Sequence, residues 1–335
     1  MKVLLYTEGL KNIGKSGLGK AVKHQIKALE DNHIEYTLDP KCKDYDIIHI
    51  NFYGPKSYLL AKKAKKMGKK IVYHAHSTEE DFKNSFILSN QVSKLFKWWI
   101  CKCYRLGDVI ITPTEYSKEL LEKYHLNRPI YAISNGIDMT FFEKNEKGGK
   151  EFRKQFGYKD TDKVIMGVGL YIERKGILTF VELAKRLPKY KFIWFGYSPL
   201  TFSPNKIKKA VHTKLDNLVF AGYVEPEVLR KAYSGADLYL FPTLEETEGI
   251  PILEALTARI DTVINDIPIF NFLEDGKDVY KAKTLEDWED KIKGVLEGRL
   301  PALTESGYQK VLPREIKRVG QELIMVYEDL LKESK

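Results

Sequence analysis

The sequence has few cysteines and no long uninterrupted apolar stretch. Its three cysteines, Cys42, Cys101 and Cys103, are too few and too irregularly spaced for a disulfide framework or a zinc site. No run of about 18 or more uncharged apolar residues is present, so the sequence predicts no membrane-spanning helix. The first residues lead directly into a strand pattern and lack the layout of a secretory signal. We therefore expect a protein of the reducing cytoplasm.

Excess positive charge is confined to the N-terminal half of the chain. Residues 1–150 contain 26 Lys and Arg against 17 Asp and Glu, whereas residues 151–335 contain 29 of each. The whole net charge of +9 therefore belongs to the first half. This distribution indicates a polyanionic partner, either nucleic acid or the anionic face of a membrane. A chain of 335 residues is long for one domain, so we expect two.

Two carboxylates flank a turn in the second half. Glu246 and Glu254 have seven residues between them, and Gly249-Ile-Pro251 lies in the gap. The apolar run at 236–241 predicts a buried parallel strand. Pro251 predicts the first residue of a helix, because its missing N–H would have no partner there. Amides at a helix start attract anions, so the pattern fits a ligand site as well as an ordinary strand–loop–helix.

A glycine-rich segment follows the predicted first strand. Gly14-Lys-Ser-Gly-Leu-Gly-Lys20 is close to a phosphate-binding loop, but Ala21 stands where such a loop needs Ser or Thr. It is not a dinucleotide-binding fingerprint either, so neither an NTPase nor a dehydrogenase is predicted. We expect a turn in which Gly17 and Gly19 either let the backbone approach a ligand or serve the turn alone.

Two histidines share one side of a predicted strand at 70–76. His74 and His76 have the same parity and lie near the carboxyl end of the strand, where open α/β sheets bind ligands. No third ligand is spaced to complete a metal site, so we predict no metal there. Upstream, a helix around 57–67 carries four lysines, a pattern typical of a solvated helix face.

A helix predicted over 93–105 combines aromatic and basic residues. Its regular apolar stripe consists of Val92, Leu95, Phe96, Trp99, Ile100 and Cys103. Trp98 and the basic residues Lys94, Lys97 and Lys102 fall outside that stripe. The pattern suits a helix packed on its own domain, and tryptophan beside lysine also suits an interfacial membrane helix. Both interpretations can hold at once, with the stripe inward and the remaining residues outward.

A cationic segment ends the first predicted strand of the second half. Arg174 and Lys175 directly precede Gly176, so two cations lie side by side in the loop after this strand. A solvated loop charge is the alternative interpretation of Arg174. Further on, the segment 222–225, which includes Val224, ends another predicted strand in a loop.

In their order along the chain, these elements resemble family-4 retaining glycosyltransferases of the GT-B fold. The likeness includes the two glutamates with seven residues between them, the Asn135-Gly-Ile-Asp138 turn and the Gly169–Gly176 element, in which Leu170 replaces the usual arginine. The resemblance implies an α/β protein of two Rossmann-like doubly wound domains with a cleft between them. The expected boundaries are 1–150 and 151–315, with a linker near 143–160 and a C-terminal helix, 316–335, returning to the first domain.

The resemblance also implies roles for individual residues. Glu246 would bind hydroxyls of the transferred sugar and Glu254 those of the ribose, while Arg174 and Lys175 would neutralise the diphosphate. His76 would reach the transferred sugar. The remaining donor-binding candidates are Gly17, Gly19, Gly249, Ile250, Pro251 and Val224. The UDP-sugar is a substrate, and neither a cofactor nor a required metal is expected.

Within the family, the likeness is greatest to Gram-positive synthases that add a second hexose to a monohexosyl-diacylglycerol. The expected partners are a UDP-hexose, that lipid and the anionic inner face of the cell membrane, which the protein would meet peripherally. The candidate membrane residues are Trp98, Trp99, Lys94, Lys97 and Lys102. A transferase for a soluble or polymeric acceptor is the alternative. A nucleic-acid-binding protein is a more distant alternative, because the aromatic residues do not interleave with the basic runs. We therefore expect no nucleic-acid partner.

Overall fold

The computed structural model describes residues 1–9 and 16–332, which form two compact units. The first comprises Met1–Phe82, Gln91–Asp138 and the segment from Pro313 onward. The second comprises Lys83–Asn90 and Met139–Leu312. Each unit is built on a six-stranded sheet in which every pair of neighbouring strands is parallel. The expected α/β architecture of two Rossmann-like domains is confirmed.

The central strands of the first sheet form from short apolar runs that are buried on both faces, as is typical of parallel strands, whereas its edge strands are partly exposed. Its strands are β1 (Lys2–Tyr6), β2 (Glu35–Thr37), β3 (Ile47–Ile50), β4 (Lys70–His74), β5 (Val109–Thr112) and β6 (Ile130–Ala132). They are arranged in the order β2-β1-β3-β4-β5-β6. The chain therefore reverses its direction of winding between β1 and β3.

Helices connect these strands. They are α1 (Gly17–Asp31), α2 (Pro55–Lys66), α3 (Glu79–Phe82), α4 (Ser89–Tyr104) and α5 (Glu115–Glu122), and the long C-terminal helix, α14, covers Ile316–Lys332. Ser16 caps α1 by accepting from the Gly19 amide at 3.3 Å. Side-chain and backbone bonds between Thr114 and Ser117 form a capping box at α5.

The C-terminal helix lies against α1 in the first unit. Asn32 Nδ2 donates to the Lys317 carbonyl at 3.0 Å, and a Cβ at Gly320 would lie 2.7 Å from the Ala28 carbonyl oxygen. Its apolar face, including Leu323 and Tyr327, joins one buried cluster with residues of β1, β3, β4 and β5. The helix therefore forms part of the core beneath the first sheet.

The second sheet has the same construction. Its strands are β7 (Val164–Val168), β8 (Lys191–Phe195), β9 (Leu218–Gly222), β10 (Leu238–Phe241), β11 (Thr262–Asn265) and β12 (Tyr280–Ala282), in the order β12-β11-β10-β7-β8-β9. Its helices are α6 (Met139–Phe142), α7 (Glu146–Phe156), α8 (Ile177–Arg186), α9 (Asn205–Val211), α10 (Pro226–Gly235), α11 (Ile250–Thr257), α12 (Leu285–Leu296) and α13 (Thr304–Val311), and α14 (Ile316–Lys332) follows in the first unit.

The segment predicted as a linker, 143–160, is instead largely helical. It contains α7, which packs closely on α10, since a Cβ at Gly149 would lie 2.7 Å from the Ser234 carbonyl oxygen. Glycines in a charged segment predict a linker, but here they allow two helices to approach. The compact units accordingly divide at Asp138–Met139 rather than at residue 150.

Several other boundaries differ from those predicted. β4 ends at His74, so His76 follows the strand, and α11 begins at Ile250, so Pro251 is its second residue. Gly17 and Gly19 lie in the first turn of α1 and not in the loop before it; Gly14 and Lys15 lie outside the described residues. The short edge strands β2 and β12 were not predicted.

Candidate active site

The second sheet reverses its winding between β7 and β10. From β7 the chain proceeds outward through β8 and β9, and then returns to place β10 on the other side of β7. Ligands of open α/β sheets bind outside the carboxyl ends of strands at such a point. The loops that follow these two strands, 169–176 and 242–249, therefore lie where a ligand is expected.

The loop after β7 carries both predicted cations. Arg174 and Lys175 lie on a 3₁₀ turn, Glu173–Lys175, that leads into α8. Gly176 ends the turn with φ 77°, and a Cβ at this position would lie 1.9 Å from the Pro242 carbonyl oxygen. Only glycine fits this position, because both its backbone angle and its surroundings exclude a side chain.

Hydrogen bonds join this turn to the loop after β10. Arg174 Nη1 donates to the Glu245 carbonyl at 2.8 Å, and the Leu244 amide donates to the Arg174 carbonyl at 2.7 Å. Thr243 Oγ1 also lies 3.1 Å from the Arg174 carbonyl oxygen. The guanidinium is therefore held in place, and Arg174 is not the freely solvated loop charge that the sequence also allowed.

Glu246 lies buried between the two cations. Lys175 Nζ and Thr243 Oγ1 both donate to Glu246 Oε1, the latter at 2.8 Å, and Arg174 Nη1 lies 3.9 Å from Oε2. Burial alone would raise the pKa of Glu246, but Lys175 and Arg174 outweigh it and hold that pKa below its usual value. The carboxylate is therefore ionised, and the three side chains together carry one net positive charge.

Glu254 occupies a different environment inside α11. Its side chain has no exposed surface, and Tyr233 Oη donates to Glu254 Oε2 at 3.1 Å. Gly249 precedes the helix with φ 80°. Because Pro251 has no N–H and the Ile252 amide donates to the Gly249 carbonyl, the amides of Gly249 and Ile250 are the candidates for contacting an anion at this turn.

Loops after β8 and β9 complete the same edge of the sheet. Gly196 has φ 116°, and a Cβ there would overlap the Gly169 carbonyl oxygen, so the loops after β8 and β7 touch through backbone. The Gly196 amide also donates to the Gly222 carbonyl, at the end of β9, at 2.7 Å. Tyr197 beside it is exposed and packs edge-on against Tyr171, with ring centroids 5.9 Å apart. Val224 is half-buried in the loop after β9.

A segment from the N-terminal half of the sequence also contacts the cationic turn. Lys83–Asn90 belongs to the second unit, and within it the Asn84 carbonyl accepts from the Arg174 amide at 3.2 Å. Arg174 Nε donates to Ser85 Oγ at 3.4 Å, and the Ile87 amide donates to the Phe202 carbonyl at 3.2 Å. No sequence pattern had assigned this segment to the second unit.

In the first unit, the two predicted histidines belong to a buried polar row. The rings of His74 and His76 are stacked with centroids 3.9 Å apart and planes 7° apart. His76 Nε2 lies 2.8 Å from Asn51 Oδ1. Asn51 follows β3 directly, as Thr243 follows β10 after one proline. A polar residue just after a buried strand was the signal that could have identified both.

The residues predicted to meet a membrane divide into two groups. Trp98 is 57% exposed, Lys94 is exposed, and Lys102 Nζ lies over the Trp98 ring at 5.2 Å from its centroid. Trp99, in contrast, is half-buried and donates from Nε1 to the Tyr53 carbonyl at 2.7 Å, while Lys97 pairs with Glu79 and lies over the Tyr124 ring.

The predicted inward stripe of α4 is wrong at its N-terminal end. Leu95 is 65% exposed and Val92 is also exposed, whereas Ser93 and Ile100 are buried. Leu95 therefore shares the outer surface with Trp98. Among residues 1–9 and 16–332 there is no group of three or more His, Cys, Asp or Glu arranged to hold a metal ion, and no helix long and apolar enough to cross a bilayer.

The sequence is similar to known glycosyltransferases over its entire length. The model of Glycosyltransferase Family 4 matches residues 25–141, and that of Glycosyl transferases group 1 matches residues 162–298. A processive diacylglycerol alpha-glucosyltransferase of Acholeplasma laidlawii is 39% identical over 336 residues, which covers 99% of each chain. This chain belongs to glycosyltransferase family 4.

A more distant relative agrees with this assignment, and solved structures show the fold. An alpha-galactosylglucosyldiacylglycerol synthase of Streptococcus pneumoniae is 25% identical over 77% of this chain and 68% of its own. HepE of Anabaena in complex with UDP-glucose has a TM-score of 0.77 at 16% identity, covering 98% of this chain and 100% of its own. A sucrose-phosphate synthase of Thermosynechococcus elongatus has a TM-score of 0.81 at 13% identity, covering 99% and 100%. This family-4 glycosyltransferase therefore has the GT-B fold.

Proposed function

We propose that this glycosyltransferase transfers glucose from UDP-glucose to a monohexosyl-diacylglycerol with retention of configuration, making a dihexosyl-diacylglycerol. The observation that carries the donor half of the proposal is the cluster of Arg174, Lys175 and Glu246 at the switch point of the second sheet. The acceptor half is supported by the names of the two relatives, both of which specify diacylglycerol lipids and alpha-linked sugars.

In the proposed reaction, the cationic turn stabilises the leaving diphosphate. The bond from the anomeric carbon to the phosphate oxygen breaks, and an acceptor hydroxyl forms its bond to that carbon on the same face. The acceptor proton passes to the departing phosphate. Arg174 and Lys175 favour this step because they are already oriented by the protein and need not reorganise as negative charge develops.

The two glutamates have different proposed roles. Glu246 orients hydroxyls of the transferred hexose and keeps Lys175 in position, and Glu254 holds the ribose. Glu246 is not proposed as a nucleophile, because its carboxylate is occupied by Lys175 and Thr243. We also propose that His76 binds a hydroxyl of the transferred hexose and that the reaction requires no metal.

We propose further that α2 and α4 meet an anionic membrane surface. Leu59 on α2 is 64% exposed, and the helices adjoin through Tyr58 and Trp99, whose ring centroids lie 5.5 Å apart. Exposed lysines surround the apolar residues Leu59, Leu95 and Trp98; they are Lys56, Lys62, Lys63, Lys94 and Lys102. None of these five forms a salt bridge with a carboxylate of the described residues, so their charge is available to anionic lipid.

The test is to identify the lipid products by mass spectrometry. The purified protein would be incubated with UDP-glucose or UDP-galactose and with vesicles containing diacylglycerol, monoglucosyl-diacylglycerol or no acceptor lipid. We expect a dihexosyl-diacylglycerol from UDP-glucose and the monoglucosyl lipid. If product formed only with UDP-galactose, the donor would be UDP-galactose and not UDP-glucose, as the name of the pneumococcal relative suggests for that protein. Transfer only to a soluble saccharide would refute the lipid acceptor.

A further inference from the structure

A buried row of polar side chains runs through the first unit from the C-terminal helix to His76. It joins α14, β3, β4 and α1, and its members touch through hydrogen bonds or ring stacking. The members are Tyr327, His49, His74, Gln25, Asn51 and His76. All of them except His76 are less than a tenth exposed, and His76 is half-buried.

His49 is the histidine of the row that contacts the C-terminal helix. Tyr327 Oη lies 2.6 Å from His49 Nδ1, and His49 Nε2 lies 3.1 Å from His74 Nδ1. Gln25 Nε2 lies 2.7 Å from the same nitrogen of His74. His74 is therefore fixed by two groups, and its ring in turn lies flat against that of His76.

Asn51 is the hydrogen-bond partner of one nitrogen of the His76 ring. Its carbonyl oxygen Oδ1 lies 2.9 Å from Gln25 Nε2 and 2.8 Å from His76 Nε2. An amide oxygen can only accept hydrogen bonds, so both nitrogens must carry the protons. A neutral imidazole with its proton on Nε2 has an unprotonated Nδ1, which can only accept.

The rings are neutral. Burial lowers the pKa of His49 and of His76 to about 3 and that of His74 well below its usual value. Among residues 1–9 and 16–332, three buried polar atoms of the row have no hydrogen-bond partner: Gln25 Oε1, Asn51 Nδ2 and His74 Nε2. Such atoms reduce stability, so a row of this kind is expected where function requires it.

We propose that Asn51 and Gln25 are positioning residues that hold His76 as the Nε2–H tautomer, with His74, His49 and Tyr327 fixing its ring plane. His76 then presents an obligate hydrogen-bond acceptor at Nδ1, which suits a hydroxyl group of the transferred hexose and not a carbonyl or phosphate oxygen. The role of His76 toward the sugar rests on the proposed function; its tautomer does not.

The first experiment measures the tautomer in full-length protein without substrate. Nitrogen-15 spectra of labelled histidine distinguish protonated from unprotonated ring nitrogens, and His76→Gln assigns the signal. We expect a protonated Nε2 in the wild type and a mixture of tautomers in Asn51→Leu. Gln25→Met should shift the same signal less. A wild-type His76 protonated on Nδ1, or an unchanged spectrum in Asn51→Leu, would overturn the proposal.

The second experiment separates positioning from folding. Asn51→Leu should lower kcat by about 10²-fold, as a misplaced reacting group does, with the Kd of UDP unchanged because UDP binding is assigned to the second unit. Tyr327→Phe, which removes only a hydroxyl, should lower kcat about threefold. Tyr36→Phe removes a surface hydroxyl bonded to Glu30 in the same unit and should change neither quantity.

Equal losses of UDP binding and kcat in Asn51→Leu would indicate general unfolding, and in that case the less disruptive Tyr327→Phe decides between the outcomes. An unchanged kcat in Tyr327→Phe would remove Tyr327 from the proposal. If the wild type transferred no sugar at all, the proposed function would fail, while the nitrogen-15 spectra would still decide whether Asn51 sets the tautomer.

Discussion

Lys175 donates a hydrogen bond to Glu246, a residue 71 positions later in the sequence, and Thr243 donates to the same carboxylate oxygen. Because an ammonium group has three N–H donors, a bound diphosphate would share Lys175 with Glu246 rather than displace it. Binding of the donor and orientation of the carboxylate are therefore coupled through a single ammonium group.

Replacing Glu246 by glutamine should separate these two effects. Without the negative charge, Lys175 interacts more strongly with the diphosphate, so we expect UDP to bind more tightly. Titration calorimetry would measure the change in Kd. The rate of sugar transfer should nevertheless fall by about 10²-fold or more, because the oriented hydrogen bond to the hexose is lost. Glu173→Gln is the matched control, since Glu173 lies on the same turn but pairs with Lys206. Weaker binding of UDP to Glu246→Gln would contradict the coupling.

Gly176→Ala should destabilise the second unit and abolish the geometry of the cationic turn. The new methyl group would meet the Pro242 carbonyl oxygen, and the left-handed backbone would be strained as well. We expect a loss of about 3 kcal/mol or more in the free energy of unfolding, together with loss of UDP binding. Gly157→Ala is the control, because φ is 72° but nothing lies within 4 Å; it should cost about 1 kcal/mol. Equal losses in denaturant melts would refute the steric argument.

The buried histidines should make the first unit sensitive to acid. Burial lowers the pKa of His24 to about 4 and those of His49 and His76 to about 3, all below the unfolded value of about 6.5. The unfolded chain therefore binds more protons between those values, and stability falls as pH decreases below about 6.5. At pH 5 the expected loss is on the order of 2 kcal/mol for each such histidine.

Hydrogen exchange by mass spectrometry would measure this loss separately for each unit. His49→Leu should reduce the dependence of first-unit stability on pH, whatever its effect at neutral pH. The exposed His33, at φ 58°, supplies the control: His33→Asn keeps a residue that tolerates that backbone angle and should leave the dependence unchanged. A first unit equally stable at pH 5 and pH 7.5 would show that these rings are not held neutral.

Flotation with vesicles should reveal the membrane surface. Lys94→Gln with Lys102→Gln should weaken binding to anionic vesicles by about 2 kcal/mol, or roughly 30-fold, since each lysine near the surface contributes about 1 kcal/mol. Trp98→Glu should weaken binding to anionic vesicles by a similar factor, and it should weaken binding to neutral vesicles as well. Met325→Glu alters another residue of the same unit, 56% exposed on α14, and should bind as wild type. Binding independent of anionic lipid would contradict the electrostatic part.

Local pattern predicted the strands other than the short edge strands β2 and β12. Runs such as Lys2–Tyr6 and Leu238–Phe241 lack the apolar–polar alternation of half-exposed strands, which is characteristic of buried parallel strands, and the Gly249-Ile-Pro251 segment predicted the turn in which Gly249 has φ 80°. These features depend only on neighbouring residues. The pairing of Lys175 with Glu246 does not, because it requires the relative placement of two loops separated by 71 residues.

The errors have the same physical origin. The segment containing Gly148 and Gly149 has the composition of a linker, yet it is a helix packed on α10. Leu95 fits the apolar stripe of α4 although it is 65% exposed. His49 carried no distinctive local signal, yet it connects His74 to Tyr327, which is 278 positions later. Tertiary packing, not local propensity, decides such positions.

The two units are built from alternating segments of the chain, which has a practical consequence for expressing either unit as a separate fragment. A fragment that starts at Met139 lacks Asn84 and Ser85, the backbone and hydroxyl partners of Arg174, and one that stops at Asp138 exposes the apolar surface that α14 covers. Splitting the coding sequence at its middle therefore damages both halves. A polypeptide that joins the separate segments of one unit to one another is the more promising route to studying that unit alone.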